Sequence, residues 1–285
     1  MLNSAIIIIT CSDKPGIVAA VTGFINDYRG SIINLEQHVD TQQSQFNMRL
    51  EWDISKFKID NENIYAVFEK EIAEKFNMSF DVHFSNEIPK IALFVSKLSH
   101  CFYDLLLRYQ SGEWQVKIPV VISNHRELEK SVQDLGIAYH YVPITKETKH
   151  EQEQKIIAIL KDNNIDLIVL ARYMQILSSD FIHQYENKII NIHHSFLPAF
   201  PGAKPYHSAY ERGVKIIGAT SHYVTADLDA GPIIAQDIEH VSHNDTVEEL
   251  IRKGRDIEKI VLARAIWKHI NFKTLVYNNR TIIFT

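Results

Sequence analysis

The sequence predicts an α/β protein of two domains, a βαββαβ domain followed by a mostly parallel α/β domain. Its 285 residues are too many for one small domain, at roughly 100–200 residues per domain. The order of strand and helix patterns also changes at Ser85-Asn86-Glu87-Ile88-Pro89-Lys90, a mostly polar stretch that contains proline. We therefore place the two domains at residues 1–85 and 86–285.

The first domain is predicted from two kinds of periodicity. Its helices follow from apolar residues at nearly 3.6-residue spacing, which are Ile17, Val21, Phe24 and Ile25 in one helix and Ile64, Val67, Phe68 and Ile72 in the other. Its strands are expected at residues 5–10, 31–38, 45–52 and 79–84. In the third strand every second residue is apolar, as in a strand with one buried face. This order places helices on one face of an antiparallel sheet.

The second domain begins with strands that are continuously apolar, as strands buried on both faces are. We expect them at residues 90–95, 116–123, 138–142, 166–170 and 188–192, with helical patterns between them. Two later strands, at residues 218–224 and 232–238, extend the sheet in the antiparallel direction. A long helix opens at Asp245, where Glu248 completes a capping box. The tail at residues 274–284 is predicted to be a hairpin that turns at Asn278-Asn279.

Composition and charge exclude several classes of function. The formal net charge of -5 and the pI near 6.3 argue against nucleic acid as a partner, because nucleic-acid-binding domains carry a basic surface. No apolar run has the length of a membrane span, and the N-terminus lacks the basic segment of a signal peptide. Cys11 and Cys101 are too few for a disulfide framework. We therefore expect a soluble, cytoplasmic protein that binds neither nucleic acid nor membranes.

The residues best suited to chemistry lie at the end of the strand predicted at residues 188–192. Asn191 and His193 are two residues apart, so their side chains point to the same face while the chain is extended. An asparagine amide can donate to a developing oxyanion, and an imidazole exchanges a proton near neutral pH. Asp229 lies in the loop Leu228-Asp229-Ala230-Gly231-Pro232, whose glycine allows close approach to a ligand. These three residues are the candidate catalytic groups.

The residues alone leave several alternatives open. His193 and His194 could bind zinc, but the side chains of adjacent residues diverge and no third ligand has suitable spacing, so we expect no metal. His222 could be a hydrogen-bonded strand residue, and Ser195 is expected to turn the chain. Cys101 is better explained as a helix cysteine than as a nucleophile. The role of His194 is undecided, and three further residues could line a ligand space or contact solvent: Lys204, Tyr206 and His207.

The second domain also contains a specific series of motifs, which are Asn191-Ile192-His193, Leu197-Pro198, Pro201-Gly202, Gly218-x-Thr220-x-His222 and Leu228-Asp229-x-Gly231-Pro232, with residues 166–174 upstream. In these motifs the domain resembles the 10-formyltetrahydrofolate-dependent formyltransferase family. The resemblance implies that Asn191, His193 and Asp229 form the catalytic triad. It also implies a folate pocket made by Leu170, Met174, Ile176 and Leu177 together with the loop from Val224 to Asp229, which begins with Val224 and Thr225.

The first domain contains the segments Asp13-Lys14-Pro15-Gly16-Ile17-Val18 and Gly30-Ser31-Ile32-Ile33-Asn34. In these segments it resembles an ACT domain, a ferredoxin-like module that senses amino acids. The resemblance implies that a small amino acid such as glycine or methionine regulates the enzyme by binding near Asp13, Pro15, Gly16 and Asn34. A dimerisation role alone is the alternative, because such sheets pair edge to edge. In either case we expect a homo-oligomer.

The combination of the two domains resembles the hydrolase branch of the formyltransferase family. It implies hydrolysis of 10-formyltetrahydrofolate to formate and tetrahydrofolate without a cofactor, which supplies formate to one-carbon and purine metabolism. Formyl transfer to an amine is the first alternative. However, the segment after the first strand of the second domain, Ser96-Lys97-Leu98-Ser99, contains no glycine. The related ribonucleotide transformylases hold a phosphate at this place with a glycine-containing loop. A catalytically silent folate-binding sensor is the second alternative, and the intact set of three candidate groups argues against it.

Overall fold

The computed structural model describes residues 3–198 and 205–285 and divides into two compact units. The first unit extends to Glu87 and includes Phe272–Leu275 and Ile283–Thr285, and the second comprises Ile88–Asn271 and Val276–Ile282. The first unit thus ends two residues after the predicted boundary. The assignment of the C-terminal tail differs more from the prediction, which placed the whole tail in the second domain. The guanidinium of Arg49 accounts for this, since its Nε donates to the carbonyl oxygen of Phe272 at 3.0 Å within the first unit.

The first unit is a four-stranded antiparallel sheet with helices in the predicted order βαββαβ. Its elements are β1 (Ser4–Ser12), α1 (Ile17–Asp27), β2 (Ser31–Asp40), β3 (Gln45–Asp53), α2 (Asn61–Phe68), a π-helical segment (Glu69–Ala73), α3 (Glu74–Phe76) and β4 (Ser79–Phe84). The strand order is β2-β3-β1-β4. Helix α1 begins directly after Gly16, whose φ of 93° is a conformation that glycine adopts without strain.

The core of the first unit confirms the alternation predicted for β3. The residues expected to face inward are all buried: Phe46, Met48, Leu50 and Trp52. The opposite face of the strand is also covered, since Asn47 and Arg49 are only 0% and 3% exposed. Arg49 pairs there with Glu51 at 3.0 Å, because a buried guanidinium needs acceptors for its N–H groups. The strand is therefore buried on both faces, which alternation alone did not predict.

The second unit contains a seven-stranded sheet of order β11-β10-β9-β8-β5-β6-β7. Its strands are β5 (Lys90–Val95), β6 (Lys117–Ser123), β7 (Ala138–Tyr141), β8 (Leu167–Ala171), β9 (Ile189–His193), β10 (Ile216–Tyr223) and β11 (Ile233–His240). Its helices are α4 (His100–Gln110), α5 (Glu129–Gln133), α6 (Lys149–Asp162), α7 (Ser179–Gln184), α8 (Pro205–Arg212) and α9 (Val247–Ile270). Strands β5 to β9 pair in parallel. Strands β10 and β11 are antiparallel, which confirms a mostly parallel sheet with an antiparallel extension.

The strand order creates a crevice at the carboxyl ends of β5 and β8. From β5 the chain passes to β6 and β7 on one side of the sheet, and it then returns to form β8 and β9 on the other side. Open α/β sheets bind ligands at such a switch point, outside the carboxyl ends of the strands. All five residues of β8 are buried, so this edge of the sheet is held firmly by packing.

Helix α9 begins one residue later than predicted, and its capping box is different. The Thr246 hydroxyl accepts a hydrogen bond from Glu249 N, while the Glu249 carboxylate accepts one from Thr246 N. The predicted pair of Asp245 and Glu248 was therefore wrong. The carboxylate of Asp245 instead accepts hydrogen bonds from Ser242 N and from a lysine. Within the described part of the chain, neither this helix nor any other has the length and apolar character needed to cross a membrane.

The tail forms the predicted hairpin, with strands β12 (Thr274–Tyr277) and β13 (Arg280–Ile283). Asn278 and Asn279 have φ values of 46° and 56°, and two successive left-handed residues are typical of the type I′ turn. Asparagine tolerates this conformation better than most residues. The asparagine pair was therefore a sufficient sequence signal for the turn.

We predict that Thr246→Ala weakens the first turn of α9, because the amide of Glu249 loses its side-chain acceptor. The expected cost is about 1 kcal/mol in the free energy of local opening, which corresponds to about fivefold faster hydrogen exchange of that amide. Thr246→Ser keeps the hydroxyl and is expected to exchange like the parent protein. Equal protection of the amide in the alanine and serine variants would contradict the assignment of the cap.

Candidate active site

Strand β9 presents Asn191 and His193 on one face. Asn191 lies beside Leu170 of β8 and opposite His222 of β10. His193 lies opposite Thr220 and is the last residue of the strand. Both side chains line one large cavity at the carboxyl edge of the sheet. The two-residue spacing therefore brings the amide and the imidazole together, as the sequence predicted.

Asp229 reaches the same place from the loop between β10 and β11. Its φ of 54° is left-handed, a conformation that aspartate adopts more readily than most residues. Its Oδ2 lies 3.2 Å from Nδ1 of His193. The hydrogen bond from the neighbouring imidazole of His193 holds the pKa of the Asp229 carboxyl well below its usual range. The carboxyl group is therefore ionised at neutral pH and can only accept hydrogen bonds.

The contact with Asp229 fixes which nitrogen of His193 is available. Because a carboxylate has no proton to donate, Nδ1 must carry the proton of that hydrogen bond. Nε2 is then the basic nitrogen of the neutral ring. Among residues 3–198 and 205–285 this nitrogen is buried and has no hydrogen-bond partner. The ring lines the large cavity and offers a lone pair there, which is what abstraction of a proton requires.

His222, which the sequence left as an ordinary strand residue, orients the amide of Asn191. Its Nδ1 lies 2.8 Å from the carbonyl oxygen of Tyr223, and a carbonyl oxygen can only accept, so Nδ1 carries the proton. Its Nε2 lies 3.3 Å from Asn191 Nδ2 but 3.7 Å from Asp229 Oδ1. We therefore assign Nε2 as the acceptor of one amide N–H. The second N–H of Asn191 is left to face a ligand.

All nine residues predicted for catalysis and folate binding line the large cavity, whose volume is about 480 Å³. Six of them form the predicted pocket: Leu170, Met174, Ile176, Leu177, Val224 and Thr225. The volume and the apolar lining are typical of pockets that bind small molecules. The prediction missed other residues of the lining. Arg172, Tyr173 and Ile192 lie inside the quoted motifs, whereas Gln175, Ile182 and His194 lie outside them.

A second group of polar side chains lies next to the triad and was not predicted. Glu258 of α9 is 1% exposed, and its carboxylate accepts hydrogen bonds from His100 Nε2 and from the Tyr206 hydroxyl, each at 2.8 Å. Arg172 Nε lies 3.5 Å from the same carboxylate. Arg172 Nη1 lies 2.6 Å from His194 Nδ1. We call these five residues the Glu258 cluster.

The Glu258 cluster separates the large cavity from a small cavity of about 160 Å³, because Arg172 and His194 line both. Tyr206 and His207, whose roles the sequence left open, line the small cavity. The rings of His193 and His194 stack with centroids 5.1 Å apart, so the expectation that these side chains diverge was wrong. The reason is that β9 ends at His193 and the chain bends at the next residue. Lys204 and the Pro201-Gly202 motif lie outside the described residues.

Three potential metal ligands occur in and beside the Glu258 cluster. The ligand atoms of His100, Cys101 and Glu258 lie within 4.8 Å of one another. His100, however, is already hydrogen-bonded to Glu258. Burial, followed by the charge of Glu258, raises the pKa of the Cys101 thiol far above its usual range, which opposes the thiolate that a metal needs. The geometry therefore fits a hydrogen-bonded cluster better than a cation site.

The four residues predicted to bind an effector do not converge within one copy of the first unit. Three of them are exposed and follow the carboxyl end of β1: Asp13, Pro15 and Gly16. Asn34 of β2 lies level with Ile6 of β1, because both pair with Glu51 of β3. Asp13 is seven residues beyond Ile6, which corresponds to about 23 Å of extended chain. Asn34 instead accepts a hydrogen bond from Arg49 Nη1 at 3.4 Å.

Comparison with protein families and relatives covers both parts of the chain. Residues 5–73 match the ACT domain family, and residues 89–266 match the formyl transferase family. The formyltetrahydrofolate deformylase of Synechocystis sp. is 50% identical over 281 residues, which cover 99% of this chain and 98% of the relative. The formyltetrahydrofolate deformylase of Bacillus subtilis is 47% identical and covers 98% of this chain and 93% of the relative.

Solved structures give the same relationship. A formyltetrahydrofolate deformylase from Pseudomonas syringae is similar with a TM-score of 0.97 at 42% identity, covering 100% of this chain and 95% of that chain. A glycinamide ribonucleotide transformylase from Symbiobacterium toebii has a TM-score of 0.65 at 28% identity, covering 72% of this chain and 98% of that chain. The similarity to the deformylase therefore extends over both units, whereas the transformylase matches only part of the chain.

We predict that Gly231→Ala disrupts the site without unfolding the protein, because a Cβ at this position would collide with the carbonyl oxygen of Tyr223. The loop must move to relieve the collision, and Asp229 moves with it. A crystal structure of the variant is expected to show Asp229 and His193 beyond hydrogen-bonding distance. Gly23→Ala is the matched control, since a Cβ there meets nothing within 4 Å. An alanine variant at residue 231 that keeps the contact would refute this role for the glycine.

Proposed function

Because the chain belongs to the formyltetrahydrofolate deformylase family, we propose that Asn191, His193 and Asp229 catalyse the hydrolysis of 10-formyltetrahydrofolate. The enzyme is a hydrolase, and the products are formate and tetrahydrofolate. The observation that carries the assignment of residues is the convergence of an amide, an imidazole and a carboxylate at a single cavity. The apolar pocket residues of that cavity are proposed to hold the folate, with the formyl group directed towards the triad.

In the proposed reaction, water attacks the formyl carbon and gives a proton to Nε2 of His193. The carbonyl oxygen gains negative charge, and the remaining N–H of the Asn191 amide donates to it. One such donor contributes roughly 2.7–4 kcal/mol to transition-state stabilisation. The C–N10 bond then breaks, and the proton passes from His193 to N10 of the leaving tetrahydrofolate. One water is consumed for each formate released.

Asp229 supports this sequence of proton transfers through its charge. A carboxylate beside the ring stabilises the positive charge of the imidazolium that forms when His193 takes the proton. Because the pKa of Asp229 is depressed, the contact stabilises the folded protein above the ordinary pKa of an aspartate. This stabilisation is lost only as the pH falls through the lower pKa of the folded state. Asp229 is therefore not the group that titrates when activity changes near neutral pH.

Water is the proposed acceptor of the formyl group because the segment after β5 is not a glycine-rich phosphate-binding loop. After β5 the chain runs through Ser96-Lys97-Leu98-Ser99 before α4 begins at His100. A segment without glycine does not readily form the concave array of N–H groups that holds a phosphate. Formyl transfer to a phosphorylated amine is thus the less supported of the two reactions. No cofactor is proposed, since the triad itself supplies a donor, a base and a charge.

The ACT domain supports regulation by a small amino acid, for which glycine and methionine remain the proposed effectors. We also propose a homo-oligomer, because β2 is an edge strand with Ile32 and Ile33 about 40% exposed. The formate produced would supply one-carbon and purine metabolism. A cytoplasmic location is proposed as well, and the two buried free cysteines are compatible with a reducing compartment.

Pure protein incubated with 10-formyltetrahydrofolate and no amine is predicted to release one formate per substrate consumed. Asp229→Asn is expected to slow this turnover by about 10³-fold or more while folate still binds, because an amide cannot stabilise the imidazolium. Asp134→Asn, which changes an exposed aspartate in the same way, serves as the matched control. Near-normal turnover of Asp229→Asn would defeat the assignment of the triad. Formate release that depends on an amine would defeat hydrolysis.

We predict that formate release changes in response to glycine or methionine within a panel of amino acids. Gly16→Val and Asn34→Ala then locate the effector, because Gly16 follows the carboxyl end of β1, whereas Asn34 of β2 lies level with Ile6 near the beginning of β1. The variant at the binding end is expected to lose the response and keep the basal rate. A rate that stays constant across the whole panel would leave dimerisation as the role of the first unit.

A further inference from the structure

The Glu258 cluster contains a histidine that the proposed mechanism does not use. His194 is 7% exposed, stacks on His193 and borders both cavities. If folate fills the large cavity, the nucleophile approaches from the side of the small cavity. We propose that His194 donates a hydrogen bond to the hydrolytic water at the inner end of the small cavity, where it borders the large cavity that contains His193, with Arg172 and Glu258 as positioning residues. This inference rests on the proposed hydrolysis.

Arg172 determines which nitrogen of His194 meets the water. A guanidinium has donors only, so the nitrogen that it contacts, Nδ1 at 2.6 Å, must be the acceptor and carries no proton. The proton of the neutral ring is then on Nε2. Within the described ranges, Nε2 has no hydrogen-bond partner. His194 thus holds one N–H donor in a fixed orientation next to the triad.

The groups around His194 keep its ring neutral. The charged and titratable residues that face it come from five different segments: Arg172, His193, Tyr206, Asp229 and Glu258. Burial, followed by the positive charge of Arg172, lowers the pKa of His194 to about 4. A ring that is neutral at working pH transfers no proton in this role. It contributes a hydrogen bond to the oxygen of the water, and no covalent bond changes.

Arg172 is held in place by both its backbone and its partner. Its φ of 63° lies in the left-handed region, which a residue with a long side chain adopts only where the surroundings fix it. Its partner Glu258 is buried, and a buried carboxylate must be paired. Hydrogen bonds from His100 and Tyr206 supply that pairing. The cluster therefore keeps one positive charge against His194 Nδ1.

The small cavity has a size that suits water. Its volume of about 160 Å³ is well above the roughly 10–15 Å³ that one water needs. Part of its wall is apolar, formed by Leu98, Pro205 and Ile251. The polar side chains of the Glu258 cluster are largely paired with one another. A water that reaches the inner end therefore finds Nε2–H of His194 as a donor.

The test is a double-mutant cycle on the full-length enzyme, with kcat, KM and tetrahydrofolate binding measured. His194→Ala is expected to lower kcat by about 10²-fold, the cost of a misplaced reactant, and to leave KM and binding within about twofold. Arg172→Met removes the donor to Nδ1 and is expected to lower kcat similarly. The double variant is expected to be no slower than His194→Ala, because Arg172 acts through His194. Arg172→Lys, which keeps a charged donor, is expected to recover most of the loss.

Histidine ¹⁵N NMR provides a second measurement, with the Nε2–H tautomer of His194 expected in the parent and lost in Arg172→Met. His183→Ala removes an exposed imidazole of α7 and is the matched control for kcat. If His194→Ala does not fold, His194→Gln replaces it and is expected to keep part of the rate through its amide N–H. Parent-like kcat in His194→Ala, or additive losses in the double variant, would overturn the inference. Absence of formate release by the parent enzyme would instead overturn the proposed function.

Discussion

The hydrogen bond between Asp229 and His193 is the interaction on which the rest of the site depends. It joins the end of β9 to the loop between β10 and β11 across 3.2 Å. It also fixes the proton of the imidazole on Nδ1, so that Nε2 is the basic nitrogen. The antiparallel pairing of β9 with β10 brings the two segments together. The close passage of Gly231 over the backbone of Tyr223 then sets the position of the carboxylate.

The neighbouring residues His193 and His194 differ in which ring nitrogen carries the proton, because their Nδ1 atoms face different partners. Nδ1 of His193 faces a carboxylate, which only accepts, whereas Nδ1 of His194 faces a guanidinium, which only donates. The first ring therefore offers a lone pair at Nε2 and the second offers an N–H. Such a separation of roles between like groups is set by environment and not by residue type. The stacking of the two rings places both functions side by side.

Much of the fold could be predicted from the sequence because it follows from local periodicity. Each of three elements is indicated by a local pattern of its own. These patterns are the alternating apolar residues of β3, the helical spacing of apolar residues in α1 and the asparagine pair of the tail. The convergence of Asn191, His193 and Asp229 at one cavity could be predicted because these residues lie in short, specific motifs. The Glu258 cluster could not, since Glu258 is more than 150 residues from its partner His100. Helical periodicity alone does not distinguish a buried glutamate in α9 from one that faces solvent.

A hydrolase of this kind has to supply the orientation of its nucleophile entirely from its own side chains. An amine acceptor can be held by parts of the molecule remote from the reacting nitrogen, and that binding energy orients the attack. Water has no such parts, so its position depends on hydrogen bonds close to the reacting carbon. Fixed donors and acceptors are effective only if they do not rearrange during the reaction. The buried strands β8 and β9 and the Glu258 cluster meet this requirement, because the Glu258 carboxylate accepts hydrogen bonds from His100 and Tyr206 and Arg172 contacts His194.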